Sequence, residues 1–388
     1  MAGRVFFYVQ HLLGIGHLKR AATLAGALAA AGLEVTFASG GPEVPGIAPE
    51  GVRRVQLPAA SAADLGFREL VDESGRAVDE AWKRRRAAAL MDAWREASAD
   101  VLLIELFPFG RRQMRFELLP LLEAARSVMP RPIIVSSVRD ILGGGQKDPG
   151  KQDEMLANFE KYFDHVLVHA DPNLVTFERT FRHTTRLGDR LHYTGFISDR
   201  LAASSRGESR SGAGEVIVSA GGGAVGVPLL RAAIRARKLT RLKDRTWRVI
   251  AGINCAEADY EALAELAREE GGEGIEVERF RPDFPSLLAH CELSISQAGY
   301  NTLMDILQAG ARAVVVPFAG GGETEQDLRA RLLAERGLVE RVPEPGLTPA
   351  ALAAAADRAA RRPRMPAVRA NLDGAARSAA LVAKWARP

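Results

Sequence analysis

A chain of 388 residues, 47% hydrophobic and 26% charged, carries more material than one ordinary core holds and is too apolar for global disorder. Its formal net charge of +4 is thinly spread, which argues against a dedicated nucleic-acid binder and leaves room for local attraction to phosphates or anionic lipid. No apolar run approaches the roughly 20 residues of a spanning helix, so a two-domain cytoplasmic protein is expected, at most attached to the inner face of a membrane.

The first apolar run, Val5 to Val9, has no basic leader or small-residue cleavage site and predicts a strand. Further strands are expected near Glu34 to Ala38, Arg53 to Leu57, Val101 to Ile104, Pro132 to Ser136 and His165 to His169, with helices between most of them. The second half repeats the pattern in "EVIVSA", "TWRVIAG", "GIEVERF", "CELSIS", "ARAVVVPF" and "GLVERV". Such alternation is the mark of βαβ units, and it predicts an α/β protein with two Rossmann-like, doubly wound parallel sheets. The Ser- and Gly-rich stretch at 199–213 is the expected linker between domains 1–198 and 214–365, and the helical segment 366–388 is expected to pack back on the first domain. Cys255 and Cys291 sit in apolar surroundings without metal-like spacing and read as free thiols.

Two junctions and one helix stand out. "LGIGHLKRA" passes from the first strand through Gly14 and Gly16 into a helix whose first turn holds His17, a side chain suited to general-base work near neutral pH. A nicotinamide site is disfavoured, since the third glycine is missing and the second strand ends in Ala38-Ser39-Gly40 where an acidic residue is needed. Glu105, closing the strand "DVLLI", is placed to orient His17 or to act as the base itself, and Arg111, Arg112 and Arg139 in neighbouring loops suit an anionic acceptor. "SAGGGAVG", with Ser219, Gly221, Gly222 and Gly223, offers backbone amides to a phosphate. "AWKRRRAAALMDAWREA" combines basic residues with Trp82 and Trp94, a composition that fits a membrane interface as well as an ordinary amphipathic surface.

With "SISQAGYNTLMDILQAGARAVVVPFAGGGETEQDL" added, the chain resembles GT-B fold glycosyltransferases of family 28, the MurG-like group. The resemblance implies two domains facing across a cleft and an inverting transfer of a hexose-type sugar from a nucleotide donor, UDP above all, to a hydroxyl acceptor, lipid-linked or a small metabolite. By that pattern Ser296, Gly299, Thr302 and Asp305 hold the donor nucleotide, Asp305 against the ribose, and Phe280 and Arg281 lie in the segment whose backbone reads the base. Gly321, Gly322, Glu325 and Gln326 fall where the family meets the donor sugar. The family's use of helix dipole and amides, together with the lack of an Asp-x-Asp motif, implies no metal and no cofactor beyond the nucleotide-sugar co-substrate. Two rivals stand beside this expectation, a UDP-sugar 2-epimerase on the same fold and a non-catalytic sugar-nucleotide-binding protein.

Overall fold

Strand β1 (Arg4–Val9) buries five residues in a row, as a parallel strand covered on both faces must. The computed structural model describes residues 2–12, 14–63, 69–143, 148–198, 211–222, 225–320, 324–364 and 371–386. The chain divides into two units, Met1–Ser198 with Asn371–Pro388, and Asp199–Ala370. The linker expected at 199–213 lies outside the described residues up to 210.

In the first unit β1 is followed by α1 (Gly16–Ala30), β2 (Glu34–Ser39) and β3 (Arg53–Gln56), then by a small hairpin of β4 (Ser61–Ala62) and β5 (Leu70–Val71). The chain continues through α2 (Glu80–Ala97), β6 (Val101–Glu105), α3 (Arg115–Ser127), β7 (Ile133–Arg139), α4 (Pro149–Tyr162), β8 (His165–His169), α5 (Thr184–Leu187) and β9 (Leu191–Tyr193). The parallel sheet runs β3-β2-β1-β6-β7-β8-β9, so the strand order reverses direction between β1 and β6. At such a reversal the loops leaving neighbouring strands splay to opposite faces and open a crevice. The final helix, α12 (Gly374–Trp385), packs along α1 and belongs to this unit. It is anchored where Phe196 N–H donates to Asn371 O at 2.7 Å and where Trp385 stacks on His165 with ring centroids 4.1 Å apart.

The second unit builds β10 (Val216–Ser219), α6 (Val227–Ala236), β11 (Trp247–Ile250), α7 (Glu257–Leu266), β12 (Ile275–Glu278), α8 (Phe284–His290), β13 (Leu293–Gln297), α9 (Tyr300–Ala309), β14 (Ala313–Val316), α10 (Glu325–Glu335), β15 (Glu340–Arg341) and α11 (Pro349–Arg361). Its parallel sheet runs β12-β11-β10-β13-β14-β15, with the reversal between β10 and β13. A core around Trp247, Leu230, Leu263, Ile295 and Leu352 fills the space between this sheet and α6, α7 and α11.

Helix α2 corrects the membrane-interface reading of its composition. Trp82 and Trp94 are 5% and 4% exposed and face inward with Leu90 and Ala93, so they are not available to a bilayer. Arg86, the last of the KRRR run, is fully buried: its Nε donates to Glu117 Oε2 at 2.7 Å and its Nη1 to Gly40 O and Pro58 O at 2.6 Å. Tyr8 donates to the same carboxylate at 2.5 Å, and the hydroxyl's pKa is pushed up by burial and by Glu117. The network ties the loops leaving β1 and β2 to α3. No helix among the described residues is long and apolar enough to cross a membrane.

Candidate functional site

His17 stands in the first turn of α1 because the loop after β1 enters the helix at Gly16, and Leu18, Ala21, Leu24, Ala25 and Leu28 bury the helix's apolar face on the sheet. Ile15, its N-cap residue, makes no side-chain capping hydrogen bond. Glu105 is the last residue of β6, the strand across the reversal from β1, and is 1% exposed. The two meet: His17 Nδ1 lies 2.6 Å from Glu105 Oε1. Arg20, one turn further along α1 and 3% exposed, donates from Nη2 to the same oxygen at 2.5 Å. Glu105 Oε2 is buried with no hydrogen-bond partner among the described residues.

Electrostatics sets the protonation states. Burial alone raises the Glu105 carboxyl, but His17, Arg20 and Arg111 outweigh it and hold the group at about 2, so it is ionised and can only accept. His17 must therefore carry its hydrogen on Nδ1, leaving Nε2 with a lone pair. Burial pushes the imidazole down to about 3; Glu105 opposes this, while Arg139 and Arg111 add to it. The side chain keeps 16% of its surface exposed, enough for a ligand to reach a ring that is neutral at pH 7.

Arg111 belongs to the loop after β6, where it and Leu106 both adopt left-handed backbone (φ 59° and 67°), and its Nε donates to Gln10 O at 2.8 Å. Burial lowers its guanidinium's pKa, and Glu105 counters that. Arg139 closes β7. Both cations act on His17, so the structure gathers His17, Glu105, Arg111 and Arg139 around one strand reversal. Arg112 is directed elsewhere, pairing with Glu154 at 2.9 Å.

Sequence reasoning passed over Arg20 and His169. His169, fully buried at the end of β8, bonds Ser137 Oγ through Nε2 at 2.7 Å and Thr194 Oγ1 through Nδ1 at 2.9 Å, and burial pushes it down to about 3. The three-residue spacing from His17 was the available signal for Arg20; His169 gave none, being one of two histidines bracketing an apolar strand.

In the second unit the turn after β10 sits over the start of α9. Ser219 and Ser296 are register partners on β10 and β13, both buried, and Ser296 Oγ has no partner among the described residues. Gly221 N–H donates to Ser219 Oγ at 3.1 Å; its φ of +61° suits glycine, and a Cβ there would lie 3.9 Å from Thr302 Oγ1. Gly222 O accepts from Asn254 N–H at 3.0 Å, which draws in the loop after β11. Gly299 is the N-cap of α9, with no side-chain cap and open space where a Cβ would stand. Uncapped amides and the positive helix end make this edge suited to a phosphate. Asp305 lies three residues beyond Thr302 on α9. Phe280 is 60% exposed on the loop after β12, whereas Arg281 is bound by Asp283, with both bonds at 2.8 Å, and by Ser211.

The expected sugar-binding pair divides. Glu325 is 3% exposed and accepts from buried Arg329 at 2.7 Å, so its carboxylate is turned into the unit; this corrects its placement against a ligand. Arg329 in turn lies over the Tyr300 ring, 5.3 Å from its centroid. Gln326 Oε1 accepts from Phe318 N–H at 3.1 Å and braces the loop after β14. Gly223, Gly321 and Gly322 lie outside the described residues.

Residues 216–382 match the model of the glycosyltransferase family 28 C-terminal domain. A Synechococcus sp. UDP-N-acetylglucosamine–N-acetylmuramyl-(pentapeptide) pyrophosphoryl-undecaprenol N-acetylglucosamine transferase is 32% identical over 129 residues, 33% of this chain and 33% of its own. The chain thus spans about a third of the length of that curated relative. Among solved structures, the glycotransferase of kitacinnamycin superposes with a TM-score of 0.67 at 18% identity, covering 100% of both chains. Acinetobacter baumannii MurG does so with a TM-score of 0.65 at 16% identity, over 98% of this chain and 99% of that one. Both are likenesses of fold, and that fold is GT-B.

Proposed function

Since the chain carries a glycosyltransferase family 28 C-terminal domain on a GT-B fold, we propose that it transfers a sugar from a UDP-linked donor to a hydroxyl acceptor, with inversion and without a metal. The observation that carries this reading is the 2.6 Å contact between His17 Nδ1 and Glu105 at the strand reversal of the first unit, which leaves Nε2 as a base. As the acceptor oxygen bonds the anomeric carbon, His17 Nε2 takes its proton, and the bond to the diphosphate breaks with the electron pair leaving on the nucleotide. Glu105 stabilises the imidazolium that forms. Arg111 and Arg139 favour an acceptor bearing negative charge.

The donor belongs to the second unit. Backbone amides at Gly222 and the start of α9, with Ser219, Gly221, Ser296, Gly299 and Thr302, meet the diphosphate and oppose its growing charge as it leaves. Asp305 takes the ribose hydroxyls, the Phe280–Arg281 backbone the base, and Gln326 the sugar. The Synechococcus relative is named for UDP-N-acetylglucosamine and a pyrophosphoryl-undecaprenol acceptor; the UDP-sugar class is adopted here, and the acceptor is an alcohol.

A thermal-shift series over UDP-, dTDP- and GDP-sugars, with and without EDTA, tests the reading. A ligand at 100 times its dissociation constant adds about 2.7 kcal/mol to the native state. UDP-sugars raise the melting temperature in both buffers. A protein indifferent to every nucleotide sugar is not this enzyme, and a response abolished by EDTA refutes metal independence.

A further inference from the structure

We infer that Arg20 is a positioning residue for the base: by sharing Oε1 of Glu105 with His17, its guanidinium reinforces the neutral state that burial imposes on the imidazole, with Nδ1–H toward the carboxylate and Nε2 open. This rests on the reading of His17 as the base. The geometry is specific. Three residues apart on α1, His17 and Arg20 lie on one face of the helix. Their two donors converge on one oxygen, at 2.6 and 2.5 Å, while Oε2 of the same carboxylate has no partner among the described residues. A guanidinium nitrogen also lies 3.3 Å from His17 Nδ1, where two donors cannot bond each other.

Protonating His17 therefore places an imidazolium against a full cation, and the carboxylate that would stabilise it is already shared. Glu105 from β6, Arg111 from the following loop and Arg139 from β7 act on His17, Arg20 from α1 and Arg111 act on Glu105, and His169 from β8 feels both Arg20 and Glu105. Before His17 is protonated there are three cations to one carboxylate. Of these cations Arg20 donates to that carboxylate at 2.5 Å and lies 3.3 Å from His17 Nδ1. Its removal acts twice in one direction, relieving like-charge repulsion and returning all of Oε1 to His17, so the imidazolium gains on both counts.

The test is a titration of ¹⁵N-histidine-labelled protein by NMR, with His17 assigned through H17Q, in the wild type, R20Q and R20K. Wild-type His17 is expected to stay neutral and Nδ1-protonated from pH 8 to 5. In R20Q its midpoint moves up by about 2 pH units, giving visible imidazolium at pH 5 to 5.5. R20K keeps the cation and titrates as the wild type does. With a donor found by thermal shift, turnover of R20Q falls at pH 5.5 relative to pH 8, whereas loss of a merely structural side chain lowers the rate evenly at all pH. A His17 equally neutral at pH 5 in R20Q and wild type overturns the inference; should R20Q not fold, an R20K whose His17 gains visible imidazolium at pH 5, although the cation is kept, does the same. Full turnover in H17A would defeat the proposed function and leave the titration result standing.

Discussion

Three buried neutral rings make the first unit acid-sensitive. Burial is the main cause in each case, holding His11 at about 4, His17 at about 3 and His169 at about 3, against an ordinary value of 6.5. A group depressed on folding contributes stability that is whole above its unfolded value and lost as the pH falls toward its folded value. For these histidines the loss begins near pH 6.5. At pH 5 each unfolded ring has gained about 2 kcal/mol from protonation that the folded ring forgoes, roughly 6 kcal/mol for the three. The slope approaches about 4 kcal/mol per pH unit below pH 6, three protons at 1.36 each. His165 and His192 are pushed the same way by burial and add to the effect. Glu105, held at about 2, adds a second loss only below its ordinary 4.5. The assay is urea unfolding at pH 8, 7, 6 and 5 with tryptophan emission; Trp82, Trp94 and Trp385 report the first unit and Trp247 the second. H169Q removes about a third of the slope while keeping polar atoms beside Ser137 and Thr194. A first-unit stability flat between pH 8 and 5, or a slope unchanged in H169Q, refutes the reasoning.

Two substitutions separate chemistry from folding. H17A deletes the base but leaves the Arg20–Glu105 pair, so turnover should fall about 10² to 10⁴-fold with nucleotide binding retained, as calorimetry with UDP would read. E117A leaves Arg86 buried with its charge uncompensated and should cost about 3–5 kcal/mol, with a smaller loss in E117Q, in urea melts of the first unit.

Most strands of both sheets were legible because they are short, nearly continuous apolar runs between glycine-rich or polar turns, as β1 and β14 show, whereas the three-residue edge strand β9 was not read. Their order followed less directly, yet once the reversal falls between β1 and β6, Glu105 has to stand beside the turn that launches His17. What the sequence hid were charges pointing inward. Arg86 sits in a run of four basic residues and looks solvated, but Trp82, Arg86, Leu90 and Ala93 with Trp94 lie on one stripe of α2, and the carboxylate that makes its burial tolerable is 31 residues away. Arg20 finds its partner 85 residues away, and only the sheet brings the two together. Glu325 failed differently: at a helix start it reads as a ligand contact, while Arg329 one turn on turns it inward. A lone basic or acidic residue thus carries no address in its own neighbourhood. The helical period says which face it takes, and the strand order says which distant charge awaits it there. Applied to α1, that pairing of period with strand order singles out Arg20 as firmly as His17, and the base and the cation that restrains it belong to one device.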